Sequence, residues 1–350
     1  MRLIRVILYL VLILAGAFLL FLLYATVDDY RPEEKISLAT ENRASVLPDT
    51  ADLRLLIWNL GYAGLDASMD FFYDGGDHMR PSEEGVVNNM KGMITTLSPY
   101  RDYDFILLQE VDRDSKRSYH LNQFEAISGH FKGFSAYFAM NYNVFFVPVP
   151  VTDPMGKVES GLMSLAKHPP AEVIRYQFPG NYPWPKKLFM LDRCFLLERY
   201  PVSDGNELLV INTHNSAYDN GSLRRQQMDY LRTFLLEEYH KGNYVIVGGD
   251  WNQTPYGFRP GFPSHRFDTI NLTYVEKDFP AGDWTWAYDP AIPTNRRVTV
   301  PYDRENSLTT VIDCYLLSPN IALKQVTTVN TEFVFSDHQP VRILVKLGNE

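Results

Sequence analysis

The hydrophobic pattern begins with an unbroken apolar run from Val6 to Val27, VILYLVLILAGAFLLFLLYATV, which contains no charged residue. A helix rising about 1.5 Å per residue over this length crosses the roughly 30 Å hydrocarbon core of a bilayer. Arg2 and Arg5 precede the run, while Asp28, Asp29, Glu33 and Glu34 follow it. By the positive-inside rule, the N-terminus stays cytoplasmic and the remainder faces outward. A cleaved signal peptide would have a shorter apolar region, roughly 7–15 residues, ending in a small-x-small site. Here Ala15-Gly16-Ala17 lies inside the run. The pattern therefore predicts a membrane anchor over residues 1–27. Residues 28–52 are polar, carry Pro32 and Pro48 and show no sustained period, which predicts a tether that lifts the following domain off the bilayer.

From Leu53 the pattern changes to short β-type runs. Strands are predicted at Leu53–Asn59, Phe105–Glu110, Val144–Val149, Gly161–Ala166 and Phe189–Glu198. Further strands are predicted at Glu207–Thr213, Tyr244–Gly249, Thr310–Leu317 and Val341–Lys346. Runs such as FILLQ and YVIVGG are nearly continuous in apolar residues, as in strands covered on both faces. Between them, Val86, Met90, Ile94 and Leu97 recur at helical spacing after Ser82, predicting a capped helix over Glu83–Leu97. A second helix is predicted from a Ser222 cap to His240. Strands mixed with face-covering helices, and no linker after Leu53, predict one layered α/β domain over residues 53–350.

Composition changes this picture in two respects. The 350 residues would ordinarily suggest two domains, but the uninterrupted strand pattern favours one. The net charge is -9, and removing residues 1–27 deletes two Arg, leaving 31 basic against 42 acidic residues, or -11. A general nucleic-acid binder needs clustered Lys and Arg, so this balance argues against one. A local basic pocket, or a metal ion, remains compatible with it. Cys194 and Cys314 lie in separate apolar runs, as two buried thiols or one disulfide.

The candidate chemistry sits where the apolar runs end. They deliver Asn59, Gln109-Glu110, Thr213-His214-Asn215, Asp250-Trp251-Asn252, Asp313 and Ser336-Asp337-His338. One such residue is usually a turn former. Six endings rich in Asp, Glu, Asn and His suit oxygen ligation of a hard cation such as Mg²⁺. No Cys or paired-His motif points to structural zinc or a zinc protease.

Taken in order, LLIWNL, FILLQEV, GLMSLAK, THNSA, VIVGGDWN, VIDCYLLS and SDHQPV resemble the endonuclease/exonuclease/phosphatase superfamily, whose members include deoxyribonuclease-like nucleases and sphingomyelinases. The resemblance covers Leu53 to Leu347. It implies a four-layer sandwich of two mixed β-sheets flanked by helices, here preceded by the transmembrane helix. It also implies a metal-dependent phosphoester hydrolase, with Mg²⁺ as cofactor and Mn²⁺ as a substitute. Glu110 would be the main metal ligand, with Asn59 and Asp337 close to the ion or its water shell. Asp250 would position or deprotonate water, Asn252 would donate to the scissile phosphate, and Asp313 would orient His338. His338 and His214 would contact phosphate or exchange protons, their division of roles left open. Arg193 and Lys167 would meet the substrate phosphate. Lys167 stands where relatives often carry Arg, which would remove bidentate recognition.

Two segments have open readings. Gly61–Arg80 is either a solvated loop or a substrate-selecting lid, and Ser135–Met155 either a buried hairpin or a groove for lipid or sugar. The resulting expectation is an outward-facing, membrane-anchored hydrolase that leans toward lipid head groups or small phosphodiesters. A membrane-anchored nuclease acting on DNA or RNA is the alternative, with nucleic acid not favoured as partner. A phosphate-binding module without catalysis would lack the polar set that is present here. The bilayer and a phosphoester are the expected partners, and no protein partner can be inferred.

Overall fold

A computed structural model describes residues 2–40, 44–217, 219, 221–263, 267 and 272–348. The leading apolar run forms a single helix, α1 (Arg2–Asp28), exposed along most of its length, with Leu22 and Ala25 buried near its end. β1 (Lys35–Leu38) and β2 (Asp52–Asn59) follow, then α2 (Glu83–Leu97), where Ser82 Oγ accepts from Gly85 N at 3.2 Å and provides the expected cap. β3 (Phe105–Asp112) and α3 (Gln123–His130) lead into a long hairpin of β4 (Ser135–Val147) and β5 (Gly156–Ala166). Next come β6 (Glu172–Gln177), β7 (Cys194–Pro201), β8 (Glu207–His214), α4 (Ser222–His240) and β9 (Tyr244–Asp250). The chain continues through β10 (Thr285–Ala287), β11 (Asn295–Arg296), β12 (Thr309–Thr310) and β13 (Asp313–Leu317). It closes with β14 (Ile321–Thr328) and β15 (Val341–Leu347).

β11 pairs with β12 in a small separate ribbon, and the other thirteen strands form two mixed sheets, in the orders β14-β15-β2-β3-β5-β4 and β1-β6-β7-β8-β9-β13-β10. Each has one parallel pair at its middle, β2 with β3 and β8 with β9. Parallel neighbours need a crossover, supplied by α2 in the first sheet and by α4 in the second. The near-continuous apolar runs follow from this arrangement. Leu55 and Ile57 face Leu196, Val210 and Ile246 between the sheets, while Leu56 and Trp58 face Val86 and Met93 of α2. On the other outer face, Ile211 and Val247 pack against Met228, Leu231 and Leu235 of α4. Four layers result, as the sequence led one to expect.

One carboxyl interrupts the apolar space between the sheets. Glu198 of β7 is 0% exposed and accepts from Tyr200 Oη through Oε2. Burial pushes its pKa up to about 7, against the hydrogen bonds from Tyr200 and Ser164.

Several elements depart from the sequence pattern. Lys186–Phe189 is a 3₁₀ turn, so β7 starts only at Cys194. The predicted strand over 310–317 is split, because Ile312 N and Asp313 N both turn to Thr294 Oγ1, each at 3.1 Å. α4 is capped by Asp219, whose Oδ2 accepts from Leu223 N and Arg224 N, and not by Ser222. Residues 28–52 do not stand as a free tether. β1 pairs antiparallel with β6, Ser45 N donates to Pro169 O, and Leu47 is buried on the domain. Cys194 and Cys314 are two free, buried thiols.

Candidate active site

The two parallel pairs end at the same rim of the sandwich. β2 delivers Asn59 beside Gln109, and β8 delivers His214 directly opposite Asp250 of β9. Asp313, the first residue of β13, pairs with Asp250 from the other side. At Glu110 the β3–β5 register shifts between Leu108 and Val111, and Glu110 adopts φ +54°. Such a bulge redirects a side chain that regular pleating would place elsewhere, and here the carboxylate lines the cleft. The Ser336-Asp337-His338 segment is fastened to the end of β2. Ser336 Oγ donates to Asn59 O at 2.8 Å, and Trp58 Nε1 donates to His338 O at 2.9 Å.

These ends form a continuous polar network. Gly61 N donates to Asn59 Oδ1 at 2.9 Å, which turns Nδ2 toward Asp250 Oδ2 at 3.0 Å and Glu110 Oε1 at 3.3 Å. The amide of Asn59 thus donates to the carboxylates. Asp250 Oδ2 is 3.3 Å from His214 Nε2, and Asp250 Oδ1 accepts from Asn252 N at 2.8 Å. His338 Nδ1 is 2.8 Å from Asp313 Oδ2, and its Nε2 is 2.9 Å from Asn295 Nδ2 and 3.7 Å from Asp250.

The surroundings divide the two imidazoles. Burial holds His214 well below its ordinary 6.5, and the charges of Arg193 and His338 push the same way, so the ring is neutral. Burial opposes charge on His338 too, yet Asp313, Asp337 and Asp250 outweigh it and hold that ring protonated. Burial raises Asp250 to about 6, with His338 pulling it down and Asp313 adding to the rise. Asp337 rises to about 7 through burial, and the nearby charge of Glu110 adds to the effect.

All these groups border a cleft of about 900 Å³, except that Asn59 and Asp313 sit behind the lining side chains. Arg193 lines it, with Nη1 buried and without a hydrogen-bond partner. Asn252 also lines it, although Nδ2 already donates to Asn215 O at 2.9 Å. Lys167 is not brought to the site. Because β5 runs antiparallel to β3, Ala166 pairs with Phe105, at the end of β3 remote from Glu110. Lys167 is exposed there, with Nζ 3.4 Å from Asp102 O.

The structure adds residues that strand-end reasoning missed. Asn295 contacts His338, while Arg117, Arg224 and Arg296 line the cleft. Arg117 stacks 4.0 Å over the Tyr62 ring and is bound by Asp112. None follows a long apolar run, so hydropathy gave no signal for them. The first part of Gly61–Arg80 is packed, whereas residues 72–78 are half-buried to exposed. Tyr62, Leu65, Met69 and Phe71 form a buried cluster with Val298 that builds one wall.

The family described as Endonuclease/Exonuclease/phosphatase matches residues 57–338. The chain belongs to this family. It is accordingly a phosphoesterase of the endonuclease/exonuclease/phosphatase type. Solved structures agree in fold at low identity. An endonuclease/exonuclease/phosphatase from Beutenbergia cavernae DSM 12333 aligns at TM-score 0.58 and 19% identity, over 85% of this chain and 72% of that one. ANGEL2, a 2',3'-cyclic phosphatase solved with adenosine-2',3'-vanadate, aligns at 0.55 and 14%, over 91% and 99%. The human Nocturnin catalytic domain with bound sulfate aligns at 0.50 and 14%, over 88% and 100%. No curated protein sequence matches significantly.

For this family member, two donor sets compete for a metal ion. Asp250, Asp313 and His338 bring ligand atoms within 4.8 Å of one another and could hold one. That grouping already spends His338 Nδ1 on Asp313 and His338 Nε2 on Asn295. Glu110 and Asp337 instead face the cleft together, and the charge of Glu110 adds to the rise of the Asp337 pKa. Their all-oxygen character fits a hard cation. A Cβ at Gly61 would come within 2.7 Å of Asp337 Oδ1, so the glycine keeps that carboxylate's place open.

Proposed function

We propose that this chain hydrolyses phosphoesters with a divalent cation, Mg²⁺ or Mn²⁺, held by Glu110 and Asp337 and steered by the Asn59 amide. The observation that carries the reading is geometric: Asn59, Glu110, His214, Asp250, Asp313 and His338 meet in one polar network at the floor of the cleft. When bound, the ion would withdraw charge from the phosphoryl oxygens. Asp250, fixed by Asn252 N and Asn59 Nδ2, accepts a proton from the attacking water. His338, oriented by Asp313 through Nδ1, would meet a phosphoryl oxygen through Nε2 in place of Asn295 Nδ2 as negative charge grows there. Arg193 offers an unpartnered guanidinium nitrogen for a further phosphate oxygen. Asn252 supports the phosphate through its remaining amide hydrogen. His214 is assigned as the neutral partner that fixes Asp250.

The substrate reading leans toward lipid head groups or small phosphodiesters. The cations that line the cleft are Arg117, Lys186, Arg193, Arg224, Arg296 and Arg297, while the chain as a whole is acidic at -9. A nucleic-acid substrate calls for a basic track along a backbone. The anchor reading is supported by how α1 ends. Leu22 and Ala25 are buried, and Trp184 Nε1 donates to Thr26 Oγ1 at 3.2 Å, so the last turns pack as part of the folded domain. Cleavage within the run would strip those contacts. Arg2 and Arg5 before the run, and acids after it, support a cytoplasmic N-terminus with residues 53–350 outside.

The test is hydrolysis of bis(p-nitrophenyl) phosphate by the full chain in detergent, with Mg²⁺, with Mn²⁺ and with EDTA. Metal-dependent turnover that D250N reduces by about 10²–10⁴ is expected. Absence of turnover with either ion refutes the reading. A parallel panel of sphingomyelin-type lipid, inositol phosphate, DNA and RNA identifies the substrate class.

A further inference from the structure

The wall of the cleft nearest α1 differs in character from its floor. Glu110, His214, Asp250 and His338 form the charged floor, whereas Val147, Pro148, Val149, Phe189 and Leu191 line one side. That apolar side is the same surface that grips the end of α1. Phe21 stacks on Phe189 with centroids 5.8 Å apart and planes 5° apart, and Tyr24 meets Phe145 of β4 edge-on at 4.8 Å. The cleft wall and the helix end are therefore two faces of one aromatic cluster.

Around this cluster the surface has the composition of a membrane–water boundary. Trp184 is 55% exposed while bonded to Thr26, and Val151, at the tip of the turn leaving β4, is 86% exposed. Lys186 lies 4.0 Å over the Tyr182 ring, and Lys187 pairs with Asp29 at 3.4 Å. Trp and Tyr with flanking Lys are favoured at the head-group level. An exposed Val alone would mean little. Here it follows Val147 and Val149 of the apolar wall on the same turn.

We propose that the β4–β5 turn and the Trp184 segment dock on the bilayer that α1 crosses, so that the cleft opens laterally to phospholipids of the same leaflet. This inference rests on the phosphoesterase and anchor readings above. The lipid phosphate reaches Glu110 and Asp250, and the glyceride backbone lies against Val149 and Phe189. The occupant is an amphiphilic phosphoester, because a small soluble one would leave the apolar wall without a partner within a cleft of about 900 Å³.

The test uses the full chain in nanodiscs of phosphatidylcholine and phosphatidylglycerol. Both native thiols are buried, so a nitroxide can be attached selectively at V151C, with Q325C as control on β14 at the opposite edge of the sheet from β4. The proposal expects the V151C label to collide with oxygen in the lipid phase and to be shielded from an aqueous nickel chelate, with the reverse at Q325C. Equal aqueous exposure at both sites overturns it. In a second arm, V151D lowers phosphorus-31 head-group release from the disc lipids by about tenfold and leaves bis(p-nitrophenyl) phosphate turnover unchanged. An equal effect on both substrates, or none on either, overturns the docking face. Failure of the soluble diester to react with any divalent cation would refute the phosphoesterase reading instead, and the label measurement would still decide the docking.

Discussion

Glu198 allows a quantitative test of the sandwich that supports the site. Its carboxyl lies between the sheets, and burial lifts its pKa from the ordinary 4.5 to about 7. The folded chain thus holds this proton more tightly than the unfolded chain. The associated stability is fully present below about pH 4.5 and is lost as pH rises through about 7. At about 1.4 kcal/mol for each tenfold change in proton affinity, the loss is about 3 kcal/mol. That is a large share of the roughly 5–15 kcal/mol of a typical domain. Glu198→Gln keeps the shape and removes the titration. Urea unfolding of both proteins in detergent, followed by tryptophan fluorescence at pH 4, 6 and 8, measures the difference. Asp192 and Asp337, each raised to about 7, titrate in both proteins and cancel. The stability of Glu198→Gln relative to the native chain should increase by about 3 kcal/mol between pH 4 and pH 8. Parallel curves across that range would refute the reasoning, because they would mean that the carboxyl is hydrated or not the proton-binding group.

Asp313→Asn should lower kcat by about 10²–10⁴ with little change in KM, since it removes the charge that holds His338 protonated without touching substrate; steady-state kinetics check this. Gly61→Ala should raise the half-activating Mg²⁺ concentration by about tenfold, because its Cβ crowds Asp337 Oδ1; a metal titration of activity reads it. Arg193→Met should raise KM for a phosphodiester by about tenfold, with Arg193→Lys recovering only part of the loss.

The sequence made the central strands legible because strands covered on both faces leave long apolar runs. β2, β3, β8 and β9 were therefore found together with the groups at their ends. Asn59, Glu110, His214 and Asp250 meet because each follows or closes such a run, whereas Asp313 opens β13 and His338 lies just before β15. Lys167 followed one too, but β5 runs the other way and carries its end to the far side. Direction is a property of pairing, and a single run does not encode it. β1 was missed for the opposite reason: KISL is a short edge strand among polar neighbours, half covered, with no apolar excess to reveal it. Arg117 and Asn295 were illegible because they reach the cleft from turns and short strands whose position only tertiary packing sets. The bulge that aims Glu110 likewise depends on β5, a partner distant in sequence.

β15 lies between β14 and β2, and β2 belongs to the first third of the chain. During synthesis, β2 therefore waits with an open edge while almost the whole polypeptide is made. Asp337 and His338 arrive just before the strand that closes that edge. A nascent chain ending before Ser336 would lack both the acidic group beside Glu110 and the imidazole beside Asp313. The floor of the cleft is thereby assembled only after the segment that carries Ser336, Asp337 and His338 has been made.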